Sequence, residues 1–303
     1  MNYELFQLTL AEEVRKLIGK EGKVEVQQIR KNNGIMHKAI SILPEDEKVS
    51  PVLYLEGYYQ RYRQGVPIAH LAKLVLAQYR ENRKSKKLNF DFFKDYEKVK
   101  DRIFCKVINY AKNKVFLQSI PYKRILDLAV VCYYRVDENI IKGAAVQITD
   151  QHLEHWGVSK EEMYQTALEN TVRETDLYLE SMSEMLEEML THSEKEEIEE
   201  FSGMYASPLP MYVMTNQRKT LGAICSFIPG FLRKAAEVLQ GDFYILPSSI
   251  HECILIPVQE AFQAAELQEM VESINYTQID PQEVLSNRVY YYDSVLEVLK
   301  EEA

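Results

Sequence analysis

Residues 241–257, GDFYILPSSIHECILIP, place Ser248, Ser249, His251 and Glu252 between two apolar runs that favour β-structure. The first run covers residues 242–246 and the second covers residues 250–257. Proline and serine between two such runs are typical of a turn. The stretch therefore predicts a β-hairpin whose polar middle lies at the turn.

The residue types Ser249, His251 and Glu252 also allow a catalytic interpretation, in which serine, histidine and glutamate form a hydrolase relay. On a regular strand, however, side chains alternate, so His251 and Glu252 would lie on opposite faces. Ser249 and His251 would share a face with Cα atoms about 6.6 Å apart. The G-x-S-x-G elbow of many hydrolases is absent from this stretch. We therefore favour a structural turn and keep the hydrolase as an alternative.

The N-terminal third alternates helical and β patterns. Apolar residues at helical spacing predict a helix over residues 3–18. Residues 23–30 and 35–43 flank Asn32-Asn33-Gly34, which predicts a second hairpin. Tyr54, Tyr58 and Tyr62 follow at a spacing that places them on one helical face. Such a face either contacts another protein or forms a half-buried edge of the core, and we take these three tyrosines as candidate interaction residues.

The middle of the chain carries the strongest apolar run. Residues 92–117 are predicted to form one or two basic helices, and residues 126–135 a buried strand that pairs with residues 144–149. A short helix over residues 152–156 ends at a glycine. Ser159 and Glu162 then form a capping box that starts another helix.

The C-terminal part returns to mixed patterns. Nine glutamates between residues 180 and 200 predict an acidic helix over residues 179–201. We also predict helices and strands as follows: strands at 211–215, 223–227 and 287–293, a helix from 229 to 240, a helix at 260–274, and an acidic tail.

This order predicts an α+β fold, with antiparallel hairpins and sheets packed against helices, because single crossover helices do not follow each strand. We expect two parts, an N-terminal α+β region over residues 1–120 and a C-terminal α+β domain over residues 121–303.

Charge is distributed unevenly along the chain. The net charge is −10, yet residues 80–124 contain 14 Lys and Arg against 5 Asp and Glu, a local excess of +9. Such a region can bind the phosphate backbone of a nucleic acid, with these residues as candidates: Arg83, Lys84, Lys86 and Lys87. We favour a solvated basic surface, since the rest of the chain is strongly acidic.

Metal and cofactor signals are weak. His152 and His155 lie three positions apart, which places both on one side of a helix and makes them candidate metal ligands. The neighbouring Trp156 favours packing instead. The glycines at residues 19 and 22 lack the spacing of a phosphate loop. We therefore predict no cofactor.

Cysteine usage and hydropathy bear on location. Four widely separated cysteines are predicted to be buried, reduced thiols. The sequence contains no run of about 18 apolar residues, and acids interrupt the N-terminal apolar stretch. We expect a cytoplasmic protein with no membrane segment.

Several blocks together resemble a bacterial family catalogued as domain of unknown function 5688: KNNGIMHKAISI, VKDRIFCKVINYAKNK, HLEHWGVSKEEMYQTALENT, MYVMTN, FYILPSSIHECILIP and NRVYYYD. Three of them, WGVS-EEMYQTALENT, MYVMTN and LPSSIHE, are more distantly similar to the family of domain of unknown function 1444. The resemblance spans nearly the whole chain. It implies an α+β fold and brings no activity, substrate or catalytic residue.

The sequence thus favours an accessory or regulatory protein that acts through contacts with an unknown protein partner. The alternatives are a hydrolase-like enzyme that uses residues 248–252 and a nucleic-acid binder that uses residues 80–124, the latter less favoured.

Overall fold

The structure is a computed structural model that describes residues 1–44, 51–84, 91–137, 144–189, 210–258 and 264–302. The chain divides into two compact units. The first comprises Met1–Asp91 with Val136–Ala144, and the second comprises Phe92–Arg135 with Ala145–Ala303. This division falls near residue 91, whereas the sequence prediction placed the boundary at residue 120, and independent folding of either part stays a prediction.

The first unit packs three helices against a three-stranded antiparallel sheet of order β1-β2-β3. Its elements are α1 (Tyr3–Ile18), β1 (Lys23–Arg30), β2 (Met36–Leu43), β3 (Val52–Tyr54), α2 (Glu56–Arg63) and α3 (Ile68–Lys84). Asn33 and Gly34 turn the β1–β2 hairpin at φ of 60° and 71°. These are left-handed conformations that Asn and Gly tolerate, so the predicted hairpin is confirmed.

The second unit contains a four-stranded antiparallel sheet in which β6 lies between β4 on one side and β5 and β7 on the other. The strands are β4 (Ile103–Asn109), β5 (Tyr122–Ile125), β6 (Leu128–Arg135) and β7 (Ala145–Gln147). Three helices accompany it: α4 (Tyr96–Val99), α5 (Asp150–Trp156) and α6 (Lys160–Glu174). The predicted buried strand and the Ser159 cap of α6 are confirmed, since Ser159 Oγ accepts the Glu162 N–H at 3.1 Å.

The same unit contains a six-stranded antiparallel sheet of order β13-β12-β10-β11-β9-β8. Its strands are β8 (Leu177–Ser181), β9 (Tyr212–Asn216), β10 (Phe243–Leu246), β11 (Cys253–Pro257), β12 (Val289–Asp293) and β13 (Val298–Glu302). The helices around it are α7 (Met182–Met189), α8 (Pro229–Leu239) and α9 (Ala264–Thr277). The β10–β11 hairpin has Phe243 opposite Pro257 and Leu246 opposite Ile254, so the predicted pairing is confirmed.

Three predicted helical segments are wrong. Residues 103–109 form the buried strand β4 rather than a basic helix, because cross-strand pairing with β6 buries nearly the whole run. Tyr54 ends strand β3, so it does not share a helical face with Tyr58 and Tyr62. Residues 179–181 of the predicted acidic helix belong to strand β8, residues 182–189 form helix α7 as predicted, and the part from residue 190 onward lies outside the described residues.

Two predictions near the C-terminus are also wrong. Gly222–Phe227 is a 3₁₀ helix rather than a strand, and all six of its residues are buried. The end of the chain is the edge strand β13 rather than an acidic tail, since it pairs with β12 along five residues. In both segments the local sequence is compatible with more than one conformation, and tertiary contacts select the observed one.

The fold is therefore α+β with antiparallel sheets, as the sequence predicts. Cys105, Cys132, Cys225 and Cys253 are all free and buried, which confirms the prediction of unpaired thiols. None of the helices in the described ranges combines the length and the hydrophobicity that a bilayer crossing requires.

Candidate functional site

The polar loop of residues 247–252 joins β10 to β11 and is the candidate site from the sequence. It is an irregular loop rather than a tight turn, so His251 precedes the regular strand, which begins at Cys253. Backbone hydrogen bonds fix it to the segment before β12: Ile250 N–H to Glu283 O at 2.8 Å, Leu285 N–H to Ser248 O at 3.1 Å, and Ser286 N–H to Pro247 O at 2.9 Å. These three hydrogen bonds anchor the loop at Pro247, Ser248 and Ile250.

Ser249 serves the loop conformation. Its Oγ accepts a hydrogen bond from the main-chain N–H of His251 at 3.0 Å, the local pattern of a serine turn. Ser249 is 4% exposed and Ser248 is 9% exposed. The structure thus brings Ser249 to the His251 backbone instead of to the His251 ring.

Both ring nitrogens of His251 have partners elsewhere. Nδ1 accepts a hydrogen bond from the Leu221 N–H at 3.1 Å, which places the proton of the neutral ring on Nε2. Nε2 lies 3.5 Å from Glu283 Oε1. Because Nδ1 accepts from the backbone and Nε2 faces a carboxylate, the ring is oriented away from the role of a base for Ser249.

Glu283, rather than Glu252, is the carboxylate that the structure pairs with His251. The sequence reasoning missed it, since residues 251 and 283 are joined only by tertiary structure. Thr215 was also missed: its Oγ1 donates to the His251 carbonyl at 2.7 Å. No periodic or motif signal marks either residue in the sequence.

Gly222 packs closely against the backbone of His251. A Cβ at this position would lie 2.1 Å from Thr215 Oγ1, 2.6 Å from Asn216 N and 2.8 Å from His251 O. The close approach of three segments therefore requires glycine. The cluster is a tightly packed polar junction of the six-stranded sheet.

The two candidate metal ligands lie on α5 in different surroundings. His152 Nδ1 accepts the Thr149 N–H at 3.0 Å, and the His152 ring stacks on Trp156 with centroids 5.6 Å apart. Burial, and next the charge of His155, lowers the pKa of His152. His155 is exposed. In the described ranges, no group of three His, Cys, Asp or Glu side chains could hold a metal ion.

The structure describes the basic region at residues 80–84 and 91–124. Several of its charges have acidic partners close by: Arg80 with Glu21 at 3.7 Å, Lys98 with Asp95 at 3.0 Å, Lys100 with Glu97 at 2.6 Å and Lys123 with Glu161 at 3.9 Å. Arg83 and Lys84 are the last basic residues of α3, and their side chains lie outside the described part. Lys86 and Lys87 lie outside it entirely.

The three tyrosines of the predicted contact surface differ in exposure. Tyr54 is 37% exposed and lies under Lys31 Nζ, 4.8 Å from the ring centroid. Tyr58 is 8% exposed, and its hydroxyl donates to Gln78. Tyr62 is half-buried, and its hydroxyl accepts from the N-terminal amine of Met1 at 3.3 Å. Tyr54 and Tyr58 line an open groove of about 440 Å³ between α2 and α3.

Comparison with known proteins decides the family. The model of DUF5688, a family of unknown function, matches residues 3–294. The chain belongs to DUF5688. No curated protein and no solved structure matches this DUF5688 chain. The match covers both compact units and the whole His251 junction, and it ends at Ser294, inside the turn between β12 and β13.

Proposed function

We propose that this chain is a non-enzymatic accessory or regulatory protein that acts by binding another protein. The observation that carries the proposal is the tip of the β12–β13 hairpin, where Val295 is 86% exposed and Leu296 is 71% exposed. Turns between strands usually carry polar residues. Two adjacent large apolar side chains in water are costly, and burying each in a partner would contribute about 1.5–3 kcal/mol.

Four hydrogen bonds fix this apolar tip. Asp293 Oδ1 accepts the N–H groups of Val295 at 3.0 Å and Leu296 at 2.7 Å. Asp242 Oδ1 accepts from Ser294 twice, from N–H at 2.8 Å and from Oγ at 2.6 Å. A preorganised tip loses little conformational entropy on binding, which suits a recognition element for an apolar pocket.

The groove beside Tyr54 and Tyr58 is a second candidate contact surface, in the first unit.

The tip residues lie beyond the end of the family match, so the proposal concerns this chain and takes nothing from the family. A cytoplasmic location fits it, because four unpaired cysteines persist in a reducing compartment.

The hydrolase alternative is less favoured, since Ser249 is buried and both His251 ring nitrogens face other groups. The nucleic-acid alternative is less favoured, because the rest of the chain is strongly acidic. Four basic side chains of residues 80–124 also have an acidic partner.

The experiment is co-purification from the source cells with the tagged full chain, followed by titration of the purified partner. We expect Leu296→Asp to weaken binding at least about tenfold, which corresponds to about 1.4 kcal/mol. Tyr276→Asp is the matched control, since Tyr276 is 92% exposed on α9 of the same unit.

A partner that binds the wild type and the Leu296→Asp variant equally would remove the tip from the proposal. Recovery of no partner, together with turnover of a small substrate that His251→Ala abolishes, would replace the proposal by the hydrolase.

A further inference from the structure

One face of the four-stranded sheet carries three cations, each above an aromatic ring. Alternation along β4 and β6 places Lys106, Tyr133 and Arg135 on this face, and β5 adds Arg124. The pairs are Lys106 Nζ 5.6 Å from the Tyr133 centroid, Arg124 Cζ 4.5 Å from the Tyr110 centroid and Arg135 Cζ 3.9 Å from the Phe104 centroid.

Lys106 differs from the two arginines in its polar partners. Arg135 forms an ion pair with Glu174, and Arg124 Nε donates to the Leu126 carbonyl at 3.1 Å. Within the described part of the chain, Lys106 has no ion pair with a carboxylate. Its amine lies over the ring of Tyr133, a contact worth about 0.5–2 kcal/mol.

The surroundings of Lys106 are apolar. It is the one charged residue of the β4 sequence IFCKVIN, and its cross-strand partner is Val131. Val131 belongs to a buried cluster on the same face, with these other members: Ile108, Leu117, Ile120 and Ala129. Lys106 itself is half-buried and lies beside this cluster, opposite Val131.

A cation in such a place loses hydration without gaining an anion, which favours the neutral amine. Burial lowers the pKa of Lys106 from 10.5 to about 8, and the nearby Cys132 acts in the opposite direction. The titratable or charged groups around the Tyr133 ring are Cys105, Arg218 and the Arg135–Glu174 pair, whose two charges offset each other. A neutral lysine amine is a nucleophile at moderate pH.

We infer that Lys106 is a covalent capture site for a small, uncharged carbonyl compound, an aldehyde in the first instance. The amine nitrogen attacks the carbonyl carbon, the C–N bond forms, and the π electron pair of C=O moves to oxygen. The carbinolamine then loses that oxygen as water with the two amine protons, which leaves a C=N bond. The product is an uncharged imine, which suits the apolar face better than the ammonium ion does. This inference does not depend on the proposed contact at the apolar tip.

The test treats the folded full chain with benzaldehyde and sodium cyanoborohydride, which reduces the imine to a stable secondary amine. Peptide mass spectrometry then measures the modification rate of each lysine between pH 6 and 10. Lys112, Lys114 and Lys123 are exposed in the same unit and serve as internal controls. We expect Lys106 to react at least about tenfold faster than these three at pH 8, and this ratio to shrink toward pH 10, where the control lysines also lose their protons.

Lys106→Met is the matched variant. We expect it to lose the Lys106 adduct, to leave the three control lysines unchanged, and to keep or raise the free energy of unfolding, since it removes an unpaired cation. A rate at Lys106 equal to or below the controls at pH 8, or a ratio to the controls that does not shrink toward pH 10, overturns the inference. The wild-type pH profile decides the matter even where the variant fails to fold.

Discussion

The hydroxyl of Tyr290 donates a hydrogen bond to the carboxylate of Asp127, although 163 positions separate the two residues. Ser286 Oγ donates to the other carboxylate oxygen at 2.7 Å. Tyr290 is fully buried, and burial, followed by the charge of Asp127, raises its pKa well above 10.0. Because Asp127 precedes β6 and Tyr290 lies on β12, this bond connects the two sheets of the second unit.

Removal of this hydroxyl should weaken the second unit. We expect Tyr290→Phe to lower the free energy of unfolding by about 1–3 kcal/mol, because Asp127 loses a donor. Urea denaturation followed by circular dichroism measures it. Tyr276→Phe removes a fully solvated hydroxyl and should change stability by less than about 0.5 kcal/mol. Equal effects of the two substitutions would contradict the assignment.

Gly222 should tolerate no side chain. We expect Gly222→Ala to lower the free energy of unfolding by about 1–3 kcal/mol, because its Cβ would lie 2.1 Å from Thr215 Oγ1. Gly230→Ala is the control, since that position in α8 has no atom within 4 Å of an added Cβ. There alanine should stabilise the helix by about 0.5–1 kcal/mol. Thermal unfolding of both variants would show opposite signs.

His251 should act on stability. We expect His251→Ala to cost about 1–3 kcal/mol, because the Leu221 N–H loses its acceptor in a part-buried site. His155→Ala, at an exposed position, should be neutral within about 0.5 kcal/mol. Chemical denaturation compares the two. A fully stable His251→Ala variant that lost a measured catalytic turnover would favour the hydrolase alternative instead.

The stability that Asp242 gives to the apolar tip should depend on pH. Hydrogen bonds from Ser294, then from Tyr291, lower the pKa of Asp242 below its usual 3.8. A depressed carboxyl pKa adds stability above the unfolded value and loses it as pH falls through the folded value. We therefore expect the wild type to be more stable than Asp242→Asn at pH 7, and the difference to shrink below pH 3.8.

Urea titrations of both proteins at several pH values between 2.5 and 7 give this difference directly. Titration of other groups largely cancels in the comparison. A difference that stays constant down to pH 2.5 would show that the Asp242 charge contributes nothing to the tip.

Several elements could be predicted correctly from the sequence. The Asn33-Gly34 turn, the Ser159 cap and the apolar run of β6 each depend on residues close together in the chain. Strand β4 was misread as a helix, because its apolar residues Ile103 and Val107, together with Val99 before it, also fit a helical period. Pairing with β6, which the local sequence does not encode, decided its conformation.

The α+β class and the β10–β11 hairpin could be predicted from the amino-acid sequence, because hydrophobic period and turn residues act over short distances. The contacts of His251 could not, because they depend on tertiary packing. Glu283, Thr215 and the Leu221 N–H reach it from separate segments, and the packing of those segments around Gly222 sets the geometry. Hydrogen-bond partners are fixed by distance in space, so a cluster of reactive residue types in sequence became a structural junction.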